Sequence, residues 1–264
     1  MSHQAQTPAH RLLTSFQSPG RIGKSTLKQA LLSWFGYAGI DFTAIDADGE
    51  HRTLSSWYPD FTVLRPYRNE EDLLPILNDV GEASVELLDL PAQSTQSILR
   101  AFEHFNALDL FDQKQTRLTV FIFASDERDA MTSAAQIISA FEGRADYVIV
   151  KNPARFTSQI FEHSKLPGLL SQFGAPTIQV PRITHGTLDA LDVASRQQKK
   201  ALTFREAEPT LEIGSTFELQ HWRNRLFASF EDIAEFLLPS PSLIQNRIAR
   251  VKPATPVTIN PYDL

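Results

Sequence analysis

The chain has 264 residues, 42% of them hydrophobic and 21% charged, which is the composition of an ordinary globular protein. It has no cysteine, which excludes a disulfide framework, a thiolate metal site and a cysteine nucleophile. No apolar run approaches the roughly 20 residues that a bilayer-spanning helix needs, and the N-terminus lacks an apolar signal core. We therefore expect a cytoplasmic protein.

Strand-like and helical patterns alternate over residues 1–187. An apolar segment at 9–17 precedes a loop, and residues 24–38 space their apolar side chains as a helix does. The later elements are predicted strands at 40–48, 84–91, 117–125, 146–152 and 176–183, and predicted helices at 94–110 and at 129–143, where Gly143 is the expected C-cap. Several strands are apolar on both faces, which predicts a doubly wound α/β fold with a mostly parallel sheet. Ligands of such sheets bind beyond the carboxyl ends of the strands.

The strand signal fades after residue 187. Residues 188–238 are predicted to be a mainly helical, C-terminal part of the same domain. Residues 239–264 are rich in proline, and we expect an arm that packs in extended form or is partly disordered.

The stretch SPGRIGKST, residues 18–26, lies between an apolar segment and a helix, as a phosphate-binding loop does. A helix N-terminus offers unpaired N–H groups and a positive dipole end, and glycines let the backbone approach phosphates closely. The standard G-x-x-x-x-G-K-[ST] pattern is not met, because position 18 is serine. The residues predicted to contact a nucleotide here are Gly20, Arg21, Ile22, Gly23, Lys24, Ser25 and Thr26.

Three carboxylates fall at or just after the ends of predicted strands. Asp46 and Asp48 follow one strand, and Asp89 ends the next. Beside a phosphate loop, such carboxylates can hold Mg²⁺ through water or orient an attacking water. The alternative is that each aspartate caps the turn or helix that follows it.

In order along the chain, these motifs resemble those of the ParA/MinD branch of P-loop ATPases, whose loop has the deviant form K-G-G-x-G-K-[ST]. The resemblance covers about residues 9–187, and its motifs here are PGRIGKST, IDADGEHRTLSSW, LLDLPAQ, VIVKNPAR and TIQVPRI. It implies a P-loop fold, ATP or ADP with Mg²⁺ as ligands, and a homodimer that closes across the nucleotide.

The resemblance also implies a role for each matching residue. Lys24 would neutralise phosphate charge, and Ser25 would bind Mg²⁺. Asp48 would position the attacking water with Asp46 beside it, and Asp89 would sense the γ-phosphate through Mg²⁺.

Two further residues match the family's base-binding strands. Asn152 would hydrogen-bond the base, and Pro181 would lie beside it. The alternative for Asn152 is a turn residue before Pro153.

The loop departs from the family at two positions. The signature lysine, which reaches the phosphates of the partner subunit, aligns with Pro19, and a glycine aligns with Arg21. Arg21 carries a fork of donors suited to phosphate, so it is a candidate catalytic cation in place of the lysine. Its alternative is an exposed loop arginine.

Three functions remain open at this point. The first is a nucleotide-dependent dimer switch that positions a plasmid, transfer or cell-envelope cargo through an adaptor protein, with slow ATP hydrolysis. The second is a binding module without turnover, and the third is an ATP-dependent metabolic ligase. A C-terminal basic face could also bind DNA non-specifically, although acidic residues interrupt it; its residues are Lys199, Lys200, Arg223 and Arg225. Membrane binding is not expected.

Overall fold

The computed structural model describes residues 8–18, 20 and 22–248. Within these residues, seven strands form one sheet in which every pairing is parallel. The strands are β1 (His10–Thr14), β2 (Phe42–Asp46), β3 (Thr62–Leu64), β4 (Val85–Asp89), β5 (Thr116–Phe123), β6 (Ala145–Lys151) and β7 (Thr177–Gln179). This confirms the predicted α/β fold with a parallel sheet, and the topology is that of a P-loop NTPase.

The strand order is β3-β2-β4-β1-β5-β6-β7, so β1 lies at the centre between β4 and β5. Thr14, the last residue of β1, pairs with Leu88 of β4 and with Val120 of β5. The loop that follows β1 therefore lies beside the carboxyl ends of both neighbouring strands, at the edge where α/β proteins bind their ligands.

Helices cover both faces of the sheet. They are α1 (Lys24–Ala38), α2 (Thr53–Trp57), α3 (Leu73–Asp79), α4 (Thr95–His104), α5 (Ala107–Gln113), α6 (Arg128–Phe141), α7 (Gln159–Glu162), α8 (Leu166–Gln172), α9 (His185–Gln198), α10 (Phe204–Ala207), α11 (Ile213–Asp232) and α12 (Ala234–Leu237).

Two hydrophobic cores lie on opposite sides of the sheet because successive side chains of a strand point to opposite faces. In β1, Leu13 joins the core formed with α1 and α11, whereas Leu12 joins the core formed with α4 and α6. Both leucines are fully buried. This double burial explains why the strands read as continuous apolar runs.

Two predicted helix details are wrong. The helix expected over 94–110 is broken into α4 and α5, because Asn106 adopts a left-handed conformation with φ 49°. Gly143 is not the C-cap of α6; that position belongs to Glu142, at φ 45°, whose N–H donates to the carbonyl of Ile138. The sequence analysis also did not assign β3, α2 and α3.

The start of the proline-rich arm packs on the domain. The N–H of Gln245 donates to the carbonyl of Ala38 at 2.8 Å, and the N–H of Ile248 donates to Glu231 Oε1 at 2.7 Å. The remainder of the arm, 249–264, lies outside the described residues. Of the helices in the described part of the chain, none has the length and apolar character needed to cross a membrane.

Candidate phosphate-binding site

The loop after β1 ends in a glycine that no other residue could replace without strain. Gly23 directly precedes α1 and has φ 107° and ψ 10°, a conformation that L side chains rarely adopt. A Cβ atom at this position would lie 2.4 Å from Nδ2 of Asn152. The loop therefore turns sharply into the helix N-terminus. Pro19 and Arg21 lie outside the described residues.

The two residues predicted to bind a base are both buried. Asn152 follows β6, and its Nδ2 donates to the carbonyl of Ile22 at 3.3 Å. The carbonyl of Pro181 accepts a hydrogen bond of 2.7 Å from Nε1 of Trp222. Asn152 thus braces the loop, and the contact of either residue with a base stays a prediction.

A buried glutamine holds the loop from a second side. Nε2 of Gln17 donates to the carbonyls of Phe123 and Ala130 at 3.2 and 3.0 Å, and its Oε1 accepts from the N–H of Phe123 at 2.5 Å. These bonds tie the loop to the end of β5 and the start of α6. The sequence analysis missed this residue, although a glutamine that closes the apolar run at 9–17 was a signal for it.

The N-terminus of α4 holds the loop from a third side. Oγ1 of Thr95 donates to the carbonyl of Phe16 at 2.5 Å and accepts from the N–H of Ser18 at 3.1 Å. The described ends of the loop, residues 16–18 and Ile22, are therefore fixed to three elements, which lowers the ordering cost of binding.

Lys24 folds back over the loop. Its Nζ donates to the carbonyl of Gln17 at 2.5 Å. Burial, together with the nearby charge of Lys28, lowers the pKa of Lys24 to about 8 against the opposing effect of Asp89 and Asp48. Beside it, Ser25 and Thr26 are exposed in the first helical turn. This turn combines a cation, hydroxyl groups and the helix N-terminus at one surface.

A second lysine lies one helical turn further on, and the sequence analysis missed it. Lys28 is 1% exposed, and its Nζ forms an ion pair with Oδ1 of Asp89 at the end of β4. The signal was a lysine four residues after Lys24, on a helix whose neighbouring positions are largely apolar. Asp89 reaches the predicted place at the strand end, but its carboxylate already has a cationic partner.

Asp46 at the end of β2, and Asp48 just after it, accept hydrogen bonds from the segment that follows the strand. Asp46 is fully buried; its Oδ1 accepts from the N–H of Asp48, and its Oδ2 accepts from the N–H and Oγ of Ser55. Asp48 Oδ1 accepts from the N–H groups of Glu50 and His51, both at 3.1 Å. Both aspartates thus make the turn-capping contacts that the sequence left open as an alternative.

These contacts test whether the residues predicted for Mg²⁺ fit that ion. Ser25 is exposed, but both oxygens of Asp46 accept protein hydrogen bonds and Asp89 is paired with Lys28. Across the described residues, no group of three or more histidine or acidic side chains is arranged to hold a metal ion. Mg²⁺ requires oxygen ligands, and protein donors already engage these carboxylates, so they do not fit direct coordination of the ion; the predicted contacts through water stay a prediction.

A cleft of about 660 Å³ opens at the carboxyl edge of the sheet. It is bounded by the segments that follow β2, β3 and β4, namely residues 48–52, 66–68 and 91–93. Asp48, the residue predicted to orient a water, lines this cleft.

The basic residues predicted for DNA do not form an open cationic face. Lys200 pairs with Glu206 at 2.6 Å, and Arg223 pairs with Glu208 and is only 18% exposed. Lys199 and Arg225 are exposed. Since two of the four cations are neutralised locally, the structure gives no support to non-specific DNA binding.

Among solved structures, the chain is similar to the MinD cell division protein of Aquifex aeolicus, at 15% identity and a TM-score of 0.44 over 83% of this chain and 97% of that one. It is also similar to the signal recognition particle receptor FtsY of Elizabethkingia anophelis, at 12% identity and a TM-score of 0.44 over 67% of this chain and 60% of that one. The chain thus spans less than two thirds of that FtsY structure. A nucleotide-binding protein from Archaeoglobus fulgidus in complex with ADP is 16% identical, with a TM-score of 0.41 over 70% of this chain and 86% of that one.

No protein-family model matches the chain, and no curated protein matches its sequence. The fold class therefore rests on the chain's own topology, an all-parallel sheet with β1 at its centre and helices on both faces.

Proposed function

We propose that this chain binds a nucleoside triphosphate, ATP in the first instance, at the loop between β1 and α1 and acts as a nucleotide-dependent switch. The observation that carries the proposal is the turn at Gly23, which directs the loop into the N-terminus of α1 beside Lys24. A helix N-terminus reached through a glycine turn, with a lysine in the first turn, favours a phosphate group electrostatically, which supports the proposal.

Lys24 is the residue that responds to the ligand. Without a phosphate, its Nζ donates to the carbonyl of Gln17. When phosphate oxygens arrive, the ammonium exchanges this neutral acceptor for charged ones, which form the stronger hydrogen bond. The described ends of the loop, held by Gln17, Thr95 and Asn152, keep their conformation.

The ParA/MinD-like motifs support the remainder of the proposal. Two cytoplasmic copies would associate across the nucleotide, and the dimer would present a surface to a cargo or adaptor protein, so that ATP shifts the population from monomer to dimer. Asp48 and the cleft that it lines would face the γ-phosphate side of the site.

Titration calorimetry with ATP, ADP and GTP tests binding, and light scattering after size exclusion with each nucleotide tests association. We expect ATP to bind and to increase the dimer fraction, while ADP binds without doing so. Failure of ATP and GTP to bind the full-length protein at millimolar concentration would refute the proposal.

A binding module without turnover is the second candidate, and the Lys28–Asp89 ion pair favours it. Asp89, which the family resemblance assigns to sensing the γ-phosphate, has its charge neutralised within the protein. The uncharged Pro19 at the signature position points the same way. ATP-dependent dimers that release no phosphate, with or without a partner, would establish this candidate.

The variant Arg21→Ala distinguishes the switch that hydrolyses ATP from the binding module without turnover. If it supplies the missing cation, Arg21→Ala abolishes phosphate release and leaves ATP binding largely intact. Unchanged dimerisation and hydrolysis in Arg21→Ala would exclude that role.

A further inference from the structure

The phosphate loop carries two lysines on one face of α1, and the second one is the unusual group. Lys24 and Lys28 are four residues apart, so they lie one above the other on the helix surface. Lys28 is almost completely buried, although lysine is rarely buried unless it is paired. Its partner, Asp89, ends the strand next to β1.

The Lys28–Asp89 ion pair determines the net charge of this site before any ligand binds. One positive and one negative charge cancel at the end of β4, and the charge of Lys24 remains for the phosphates. Lys24 is close enough to feel both members of the pair, because Lys28 lowers and Asp89 raises its pKa. A divalent ion beside Asp89 would be repelled by both lysines, since Coulomb forces are strong where water is scarce.

The other carboxylate predicted for a metal offers no substitute. Asp46 is fully buried, and its oxygens accept hydrogen bonds from Asp48 and Ser55. Freeing either oxygen would leave a buried donor without its partner. Ser25 would remain as the only predicted protein ligand beside the phosphate oxygens, whereas Mg²⁺ in phosphate sites is usually held by one or two carboxylates as well.

We infer that Lys28 is a built-in cation of this phosphate site: it takes up the charge of Asp89 in place of a divalent metal, so that the nucleotide binds without Mg²⁺. The inference rests on the nucleotide binding proposed above and specifies its cofactor requirement. The binding-competent ligand is then the free triphosphate, held by the helix N-terminus and Lys24 with Lys28 behind them.

The first experiment uses the unaltered full-length protein. Titration calorimetry with a non-hydrolysable ATP analogue is run in EDTA and again in excess Mg²⁺. We expect the two dissociation constants to agree within about threefold, which is less than 1 kcal/mol. A loss of about tenfold or more in EDTA overturns the inference while leaving the proposed function intact. Absence of binding under both conditions overturns both.

The second experiment assigns the effect to Lys28. In Lys28→Met, Asp89 loses its cation and becomes available to a metal, so the affinity should become at least about tenfold stronger with Mg²⁺ than with EDTA. If affinity in Lys28→Met stays independent of Mg²⁺, Lys28 is not the responsible cation.

The matched control is Lys114→Met, because Lys114 donates to the carbonyls of Leu77, Asn78 and Val80 at the opposite edge of the sheet. We expect it to bind the analogue as the unaltered protein does.

A third variant covers the case in which Lys28→Met does not fold. The double variant Lys28→Met/Asp89→Leu removes both charges and leaves no unpaired carboxylate in the interior. We expect its affinity to stay near that of the unaltered protein and to agree within about threefold between the two buffers, because the two removed charges cancel and the metal gains no ligand. An affinity at least about tenfold stronger with Mg²⁺ than with EDTA would overturn the role of Lys28.

Discussion

Cations are buried both where the amino ends of the strands meet (the amino edge) and where their carboxyl ends meet (the carboxyl edge). The two edges bury them in different ways. At the amino edge, Arg11 is 6% exposed and forms an ion pair with Asp146, which also pairs with Arg117. Arg11 further donates to the carbonyls of Glu235 and Leu238 at 2.6 and 3.4 Å. The C-terminal end of the described chain thus closes over this cluster.

At the carboxyl edge, the cations lie against an open surface. Lys28 is buried with Asp89, but Lys24 is only partly buried, and its Nζ donates to a loop carbonyl. The neighbouring Ser25 and Thr26 are exposed.

This difference distinguishes charged side chains that stabilise the fold from charged side chains that can bind a ligand. A cluster whose donors are bound to carboxylates and carbonyls on several sides contributes to stability and has nothing left for a ligand. A lysine whose pKa is lowered by burial carries a cost in the free protein that a phosphate group would relieve. The amino edge should therefore respond to mutation in stability, and the carboxyl edge in binding.

The largest expected effect is on stability at the amino edge. Replacing Arg11 by methionine leaves Asp146 with one cation fewer and removes the bonds to Glu235 and Leu238, so we expect a loss of about 3–5 kcal/mol in the free energy of unfolding. Urea denaturation measures it, and the folded fraction should bind nucleotide with unchanged affinity.

The control for this prediction is Arg144→Met. Arg144 pairs with Asp109 and Asp112 on the surface, where it is 46% exposed, and such pairs contribute about 0–1 kcal/mol. An Arg11→Met protein no less stable than this control would contradict the reading of the amino edge as a structural cluster.

The next effect is on binding at the carboxyl edge. Lys24→Met removes the charged donor to the phosphates, so ATP affinity should fall by about 10–100-fold, corresponding to about 1.5–3 kcal/mol. The free energy of unfolding should change by less than about 1 kcal/mol, because the lost bond to Gln17 is offset by the desolvation cost that the lysine no longer incurs. Calorimetry and urea denaturation give the two values.

Lys165→Met serves as the comparison here, since Lys165 is exposed just before α8. Equal ATP affinity in the Lys24 and Lys165 variants would show that Lys24 does not contact the phosphates.

The fold could be predicted because strands and helices leave patterns along the sequence. Apolar runs predicted the parallel strands, and helical spacing predicted α1 with the bounds 24–38 that the structure has. The carboxyl ends of parallel strands meet at one edge, which is why Asp46 and Asp89 lie where the sequence analysis expected them. The position of a side chain on an element could thus be predicted from its pattern.

The partners of those side chains could not be predicted in this way. Lys28 and Asp89 are 61 residues apart in the sequence, and no local sequence pattern predicts their contact. Asp46 binds Ser55 because α2 begins nearby, and α2 itself was not predicted. Whether a carboxylate at a strand end is free for a metal depends on such contacts, so the metal site was the least predictable feature.

A smaller effect tests the loop backbone. Gly23→Ala forces an L residue into φ 107° and places its Cβ 2.4 Å from Asn152, so we expect a loss of about 1–3 kcal/mol in unfolding free energy together with weaker ATP binding. Gly20→Ala is the control, because nothing lies within 4 Å of a Cβ at that position, and its stability should change by less than about 0.5 kcal/mol. Equal thermal midpoints for the two variants would contradict the role of Gly23.

The last effect is a dependence of stability on pH, and it belongs to the amino edge. Burial raises the pKa of Asp146, but hydrogen bonds and charge from Arg117 and Arg11 outweigh it and hold that pKa below its ordinary value. A carboxyl group with a lowered pKa stabilises the fold above the pKa of the unfolded state, about 3.9, and this contribution is lost as pH falls through the lower, folded value.

Urea denaturation from neutral pH down through about pH 4 and below measures this contribution. We expect Asp146→Asn to be less stable than the unaltered protein at neutral pH and to lose less stability in acid, because it has no proton to take up at this position. The two curves should therefore converge as the pH falls. Parallel curves would mean that the arginines do not hold Asp146 ionised, and the amino edge would then owe its stability to the carbonyl contacts of Arg11 rather than to its ion pairs.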